Sequence, residues 1–437
     1  LADGIKRLEH EYGSDVDVEW AANCEGRLFF VQVRPVTVQR APWHLWSSVN
    51  LRENYPDPIS PFLASMAERS YRHYFIGLAE TFGMRSAEIQ AMWPSFDTPV
   101  RAFFGRLHYN FSALVELMRA LPFGEALATA FLDFVGQYEG CRGQVFGYEP
   151  LPRRAALRCG KSLLLQLQGA ERRVARFSEA IDAFFVKEPS MRPLDAIAQM
   201  LHLRFHAWKD ASIADFAAMV DYGVLKAGAR HLVPELGEGG VHALLAHSEA
   251  LVSTGPSAAL TALSEAIRAR RDALEFAALD APAALLWLRA RPTLCGALDE
   301  HLTRWGFRDS GELMLTCPTF EEQPERLMPL LQNFVRAGAK RETGPSAGAE
   351  PRRARGKVLL LTPLARRAQR AVALREFVRM RQAKLYSRLR KRLLELGHQW
   401  QRIGRLSEAN DVFFLRYEEV ESASFASGPN TSKETLA

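Results

Sequence analysis

Fifteen Arg or Lys residues and one acid, Glu376, lie between Arg352 and Arg392. Cations at that density are suited to chemistry on anions. Against a chain total of +6, this segment carries +14 and leaves −8 for the rest. Three readings follow. A solvated helix face is one, although solubility needs fewer cations. A nucleic-acid surface is a second, opposed by the acidic remainder and the lack of aromatic platforms. A lining for phosphate groups is the third, because Arg can contact phosphate oxygens bidentately. Composition does not choose among them.

A second set sits near the N-terminus. Asp17 and Glu19 are two apart in VDVEWA, and Gln32 and Arg34 are two apart in RLFFVQVRPVT. Residues two apart in a strand share a face, so two carboxylates, an amide and a guanidinium could converge across a hairpin. The solvent side of an edge hairpin would look similar. His202 and His206 have the i, i+4 spacing of metal ligands. The intervening Leu203-Arg204-Phe205 lacks the acid that an H-E-x-x-H site requires, which favours two half-buried structural histidines. Gly239-Gly240-Val241-His242-Ala243 reads as a turn that starts a helix rather than as a phosphate loop. There is no P-loop, no G-x-S-x-G and no G-x-G-x-x-G. Five cysteines without C-x-x-C spacing argue against disulfides or structural zinc and for a reducing, cytoplasmic compartment.

The elements that must position these groups are mostly helical. Residues 16–37 are the one convincing β segment, a hairpin turning at Asn23-Cys24-Glu25-Gly26. After Pro35, apolar spacing predicts helices within 62–82, 114–138, 163–185, 194–225, 258–279 and 285–305, with breakers at 56–61 and 253–257. Residues 338–356 read as a flexible linker. A long helix is predicted from Thr362 as N-cap and Pro363 at the first helical position to a stop at Gly397. DVFFLRYEEV at 411–420 reads as a short strand or a turn and helix, and the tail after it as disordered. No apolar run reaches the roughly 18–20 residues that span a bilayer.

The opening segment resembles the end of the ATP-grasp domain in the pyruvate phosphate dikinase and phosphoenolpyruvate synthase superfamily. That family's pattern runs E-x-x-Y-G-x-x-x-D-I-E-W, then G-x-L-x-x-x-Q-x-R-P. Glu9, Tyr12, Gly13, Asp17, Glu19, Trp20, Gly26, Leu28, Gln32, Arg34 and Pro35 match it, with Val18 in place of Ile. The resemblance implies that Glu19 and Gln32 hold Mg²⁺ on the phosphates of ATP. It further implies that Asp17 supports them and that Arg34 contacts the transferred phosphate. Segments 50–63, 106–114, 305–327, 374–380 and 396–420 are similar to the helical middle domain of rifampicin phosphotransferase-like enzymes, which binds the acceptor. That family's Arg-Glu-x-x-Lys segment maps to Arg375, Glu376 and Arg379, with Arg in place of Lys. The two basic residues would face the acceptor and the phosphate carrier.

The expected architecture is mainly α, a large helical acceptor-binding domain (41–420) preceded by a β-hairpin remnant of an ATP-grasp domain (1–40) and followed by a tail (421–437). The family's nucleotide-binding lysine and its carrier histidine have no counterpart in the sequence. The chain is therefore expected to be a fragment of a phosphotransferase, inactive alone. Its expected partners are the remaining ATP-grasp and carrier-histidine domains and a small-molecule acceptor, antibiotic-like or pyruvate, with no nucleic acid and no membrane. A non-catalytic helical binding module is the competing expectation.

Overall fold

The computed structural model describes residues 1–13, 16–36, 44–134, 151–246, 254–308, 311, 313–337 and 354–426. It divides into two compact units, Leu1–Leu45 and Trp46–Ala437, against the boundary expected at 40/41.

In the first unit a helix, Ala2–Tyr12, ends at Gly13 in the left-handed conformation (φ 65°), where the absence of a Cβ removes the usual steric penalty. It leads into an antiparallel hairpin of β1 (Val16–Ala22) and β2 (Leu28–Pro35). The Asn23 side chain closes the turn by accepting from the backbone N–H of Glu25 at 3.1 Å and Arg27 at 2.8 Å, the local bonding that favours Asn in turns. Gly4 lets the helix approach the hairpin, since a Cβ there would meet the Phe30 ring at 2.6 Å.

The second unit is helical around one central pair. The long helix Ala354–Arg402 packs along Trp208–Leu232, and helices Pro61–Thr81, Ala170–Lys187 and Pro193–His202 flank them. Helices between Thr254 and Ala337 gather on a separate core that includes Ile267, Phe276, Leu288, Leu298 and Leu331.

Several sequence expectations are corrected. The hairpin is not the only β structure: β3 (Trp46–Ser47), β4 (Val100–Phe103) and β5 (Arg106–Asn110) form an antiparallel sheet in the order β3-β5-β4. Its turn is Phe104-Gly105, both at positive φ (51° and 71°). That is the backbone of a two-residue hairpin turn, normally announced by Asn-Gly. The long helix begins at Ala354, inside the expected linker, and runs through both Pro363 and Gly397. Gly397 is there for close packing instead of termination, because a Cβ would overlap the Ala409 carbonyl oxygen of the 3₁₀ segment Ala409–Phe414. The helix expected over 163–185 breaks at Gly169, and that over 194–225 is interrupted by a π-helical turn, Leu203–Ala207. Thr254–Pro256, expected as a breaker, forms a first helical turn. Segment 411–420 is a 3₁₀ turn followed by the helix Tyr417–Ala426, which occupies the start of the expected tail. Residues 338–353 of the linker and 427–437 of the tail lie outside the described residues.

The basic stripe is resolved as an ion-pair network. Arg367 pairs with Asp221 at 2.7 Å, Arg381 with Asp182 at 2.5 Å and Arg390 with Glu322 at 2.9 Å. Arg392 and Arg388 pair with Glu188, which is 1% exposed. The acids of the rest of the chain thus meet the cations of one helix. The solvated-face reading fails for Arg381, Arg388, Arg390 and Arg392, which are buried or half-buried, while Arg367 stays exposed.

Candidate functional site

Three helices of the second unit each present one face to a common cavity. On the long helix the lining residues are Arg375, Val378, Arg379 and Gln382, and on Pro61–Thr81 they are Tyr71, Tyr74, Phe75 and Leu78. Both sets repeat at i, i+3, i+4, i+7, the spacing of one helical face. Helix Trp208–Leu232 adds Asp215, Phe216 and Met219, strand β5 adds Tyr109, and the short helix Leu51–Asn54 adds Asn54. The cavity holds about 1080 Å³ of empty space, part of it open to solvent.

Its polar groups form a connected chain. Arg375 Nε donates to Asp215 Oδ1 at 3.2 Å, and Tyr74 OH donates to Asp215 Oδ2 at 3.2 Å. Glu376 clasps both cations, with Oε1 3.6 Å from Arg375 Nη1 and 3.5 Å from Arg379 Nη1. Arg379 Nη2 donates to Asn54 Oδ1 at 2.8 Å. Burial, and then the Asp215 charge, push the Tyr74 phenol well above its usual range. Burial and then Tyr71 do the same for Tyr109. Tyr71 is pushed up to about 12 by burial, against the opposing hydrogen bond from Tyr109 and the charge of Arg204. All three phenols therefore stay protonated at neutral pH and act as hydrogen-bonding groups, not bases.

Arg204 lines the same cavity from the π-helical turn. It is 4% exposed, its Nε and Nη1 have no hydrogen-bond partner, and no carboxylate pairs with it among the described residues. Trp208 lies under its guanidinium at 5.1 Å, and its polar surroundings are the phenols of Tyr386, Tyr55 and Tyr71.

The sequence-derived residues fall into two sets in separate units. Arg375 and Arg379 come together in the cavity. Asp17, Glu19, Gln32 and Arg34 come together on one face of the hairpin, since the register sets Asp17 opposite Arg34 and Glu19 opposite Gln32. Arg34 Nη2 pairs with Asp17 Oδ2 at 2.9 Å. All four are exposed, and a bulge follows Glu19. Glu19 and Gln32 offer one carboxylate and one amide oxygen. This suits a Mg²⁺ ion that draws its other ligands from water and nucleotide phosphates, and it is no self-sufficient metal cage. Among the described residues, no three His, Cys, Asp or Glu side chains are grouped to hold a metal.

His202 and His206 are in ring contact at 4.7 Å, and His73 joins them at 4.9 Å from His206. Burial, followed by His206, Arg69 and Arg72, lowers His73 from 6.5 to about 4. His202 and His206 are both exposed, against the half-buried pair expected from the sequence, and with His73 they form no metal site among the described residues. His242 lies on the helix Gly237–Ala246, away from the cavity lining. Sequence reading missed Tyr71, Tyr74, Asp215 and Arg204. The available signal was the Tyr71, Tyr74, Phe75, Leu78 spacing, read only as part of a helix within 62–82.

Comparison with known proteins locates both units. Residues 215–392 match the family model of the rifampicin phosphotransferase fourth domain, which takes in Asp215, Arg375 and Arg379. Residues 1–45 match the AMP/ATP-binding domain of pyruvate phosphate dikinase, which supports nucleotide binding. No curated protein matches the chain. No described helix is long and apolar enough to cross a membrane.

Proposed function

We propose a phosphotransfer role from one premise: the chain belongs to the superfamily of rifampicin phosphotransferase, phosphoenolpyruvate synthase and pyruvate phosphate dikinase. Phosphate from ATP passes through a phosphohistidine to an acceptor held in the helical cavity. The observation that carries this reading is the pair Arg375 and Arg379 lining a cavity whose other walls are largely aromatic and aliphatic. On this reading the phosphate carrier is a histidine of another domain that reaches the cavity from outside.

In the first half-reaction Arg34, paired with Asp17, contacts the transferred phosphate, and Glu19 and Gln32, supported by Asp17, would hold Mg²⁺. The cation, when bound, offsets negative charge on the nucleotide phosphates. In the second half-reaction an acceptor oxygen forms its bond to phosphorus as the nitrogen–phosphorus bond of the carrier breaks. The electron pair returns to the imidazole. Arg375 and Arg379 stabilise the charge on the equatorial oxygens, and Asp215 takes the acceptor's hydroxyl proton. Splitting the transfer in two replaces one difficult step with two easier ones.

The lining of the cavity favours an acceptor with an aromatic or apolar body over pyruvate, since Phe75, Phe131, Trp208 and Phe216 offer such a body a surface to pack on. Calorimetric titration tests this. Rifampicin is expected to bind one per chain and to lose about tenfold or more in affinity in Phe216→Ala, with pyruvate giving no heat. Tighter binding of pyruvate than of rifampicin would reverse the assignment.

A further inference from the structure

Arg204 has no role in the transfer just described. Its guanidinium is buried, its Nε and Nη1 have no hydrogen-bond partner and, among the described residues, no carboxylate pairs with it. An unpaired buried cation is costly, because desolvation is not repaid. A chain that needed only packing at this position could use Met or Leu. The residue sits in a π-helical turn, a rare local geometry concentrated at functional sites, and that turn delivers it to the wall of the cavity. Its partners there are phenols, whose oxygens can accept its hydrogen bonds but at neutral pH do not supply a negative charge. Asp215, the one carboxylate among the described lining residues, bonds Arg375 and Tyr74 instead.

We infer that Arg204 is an anion subsite, and that the ligand of this cavity carries an anionic oxygen, a carboxylate or an ionised phenol, on an aromatic body. The inference rests on the cavity being the acceptor site. It adds that the acceptor is held by a charged group on Arg204 apart from the hydroxyl that is phosphorylated near Arg375 and Arg379. Trp208 beneath the guanidinium keeps its plane fixed, and the surrounding aromatic wall strengthens the ion pair by excluding water.

Binding without any phosphoryl donor tests it on the whole chain. The carboxylate arm compares 2-naphthoate with neutral 2-naphthamide. The phenolate arm compares pentafluorophenol, ionised at neutral pH, with its methyl ether. The anion of at least one arm is expected to bind about tenfold or more tighter than its neutral partner, and the arm that shows it identifies the group. Arg204→Met is expected to abolish that preference while melting at the same or a higher temperature, since an unpaired charge has been removed. Arg204→Lys should retain part of it. Equal affinities in both arms, no binding of any probe, or an undiminished preference in folded Arg204→Met would each overturn the inference. Phosphoryl transfer is not read in this experiment, so failure of the transfer mechanism and failure of the anion subsite are separate results.

Discussion

At the scale of single residues, Glu376 gives the pair of arginines its geometry. It bridges Arg375 and Arg379 from between them on one helical turn. The family pattern has Lys where this chain has Arg379, and the planar fork of Arg lets it bond Asn54 while remaining in the cavity wall. His73 provides a pH signature. Its folded pKa of about 4 lies below its ordinary 6.5, so the unfolded chain binds the proton first. The stability it contributes is complete above pH 6.5 and is lost progressively as pH falls towards 4. Calorimetric melts should therefore show the midpoint dropping between pH 7 and pH 5, with a shallower slope in His73→Gln. A slope unchanged by that substitution would show that His73 does not carry the effect.

At the scale of elements, the long helix is held by two devices of different legibility. Its cations were plain in the sequence, but their partners were not. Glu188 lies some two hundred positions from Arg392, and only the packing of helix Ala170–Lys187 against the long helix brings them together. Removing one partner of a buried pair leaves the other charge uncompensated, so Glu188→Ala should destabilise the unit by about 3–5 kcal/mol in urea melts. Gly397 misled because Gly after a helical run commonly signals a stop. What it signals here is contact with Ala409, which no local pattern encodes. Gly397→Ala should cost about 1–3 kcal/mol by overpacking, whereas a terminating glycine past the helix end would be insensitive to that contact. The sheet β3-β5-β4 escaped notice for a related reason. Its strands are short, and Phe104-Gly105 is an uncommon pair for its turn.

At the scale of the whole molecule, the modest charge of +6 conceals cations and acids that neutralise each other across helices. The mainly helical class and the N-terminal hairpin were legible because each rests on local spacing, whereas the Arg375–Arg379 pair was singled out from the basic stripe only through the family resemblance. The cavity was not, because it is assembled from helices, a π-helical turn and a strand far apart in sequence. The internal neutralisation predicts that a duplex of about 20 base pairs shows no binding tighter than the roughly 10⁻⁴ M of weak non-specific contact at physiological salt, as measured by fluorescence anisotropy. Salt-sensitive micromolar binding would mean that the stripe remains free.

The central claim is that Arg375 and Arg379 stabilise a phosphoryl group in transit to an acceptor in the helical cavity. Phosphoimidazole, the small-molecule equivalent of a phosphohistidine side chain, supplies that group directly, and mass spectrometry follows its transfer to rifampicin and to pyruvate. The account predicts that the chain accelerates transfer to rifampicin. Arg375→Ala and Arg379→Ala should each lower the rate about 10²–10³-fold while changing rifampicin affinity by less than about threefold. No acceleration with either acceptor, or rates in both variants equal to that of the native chain, would contradict it.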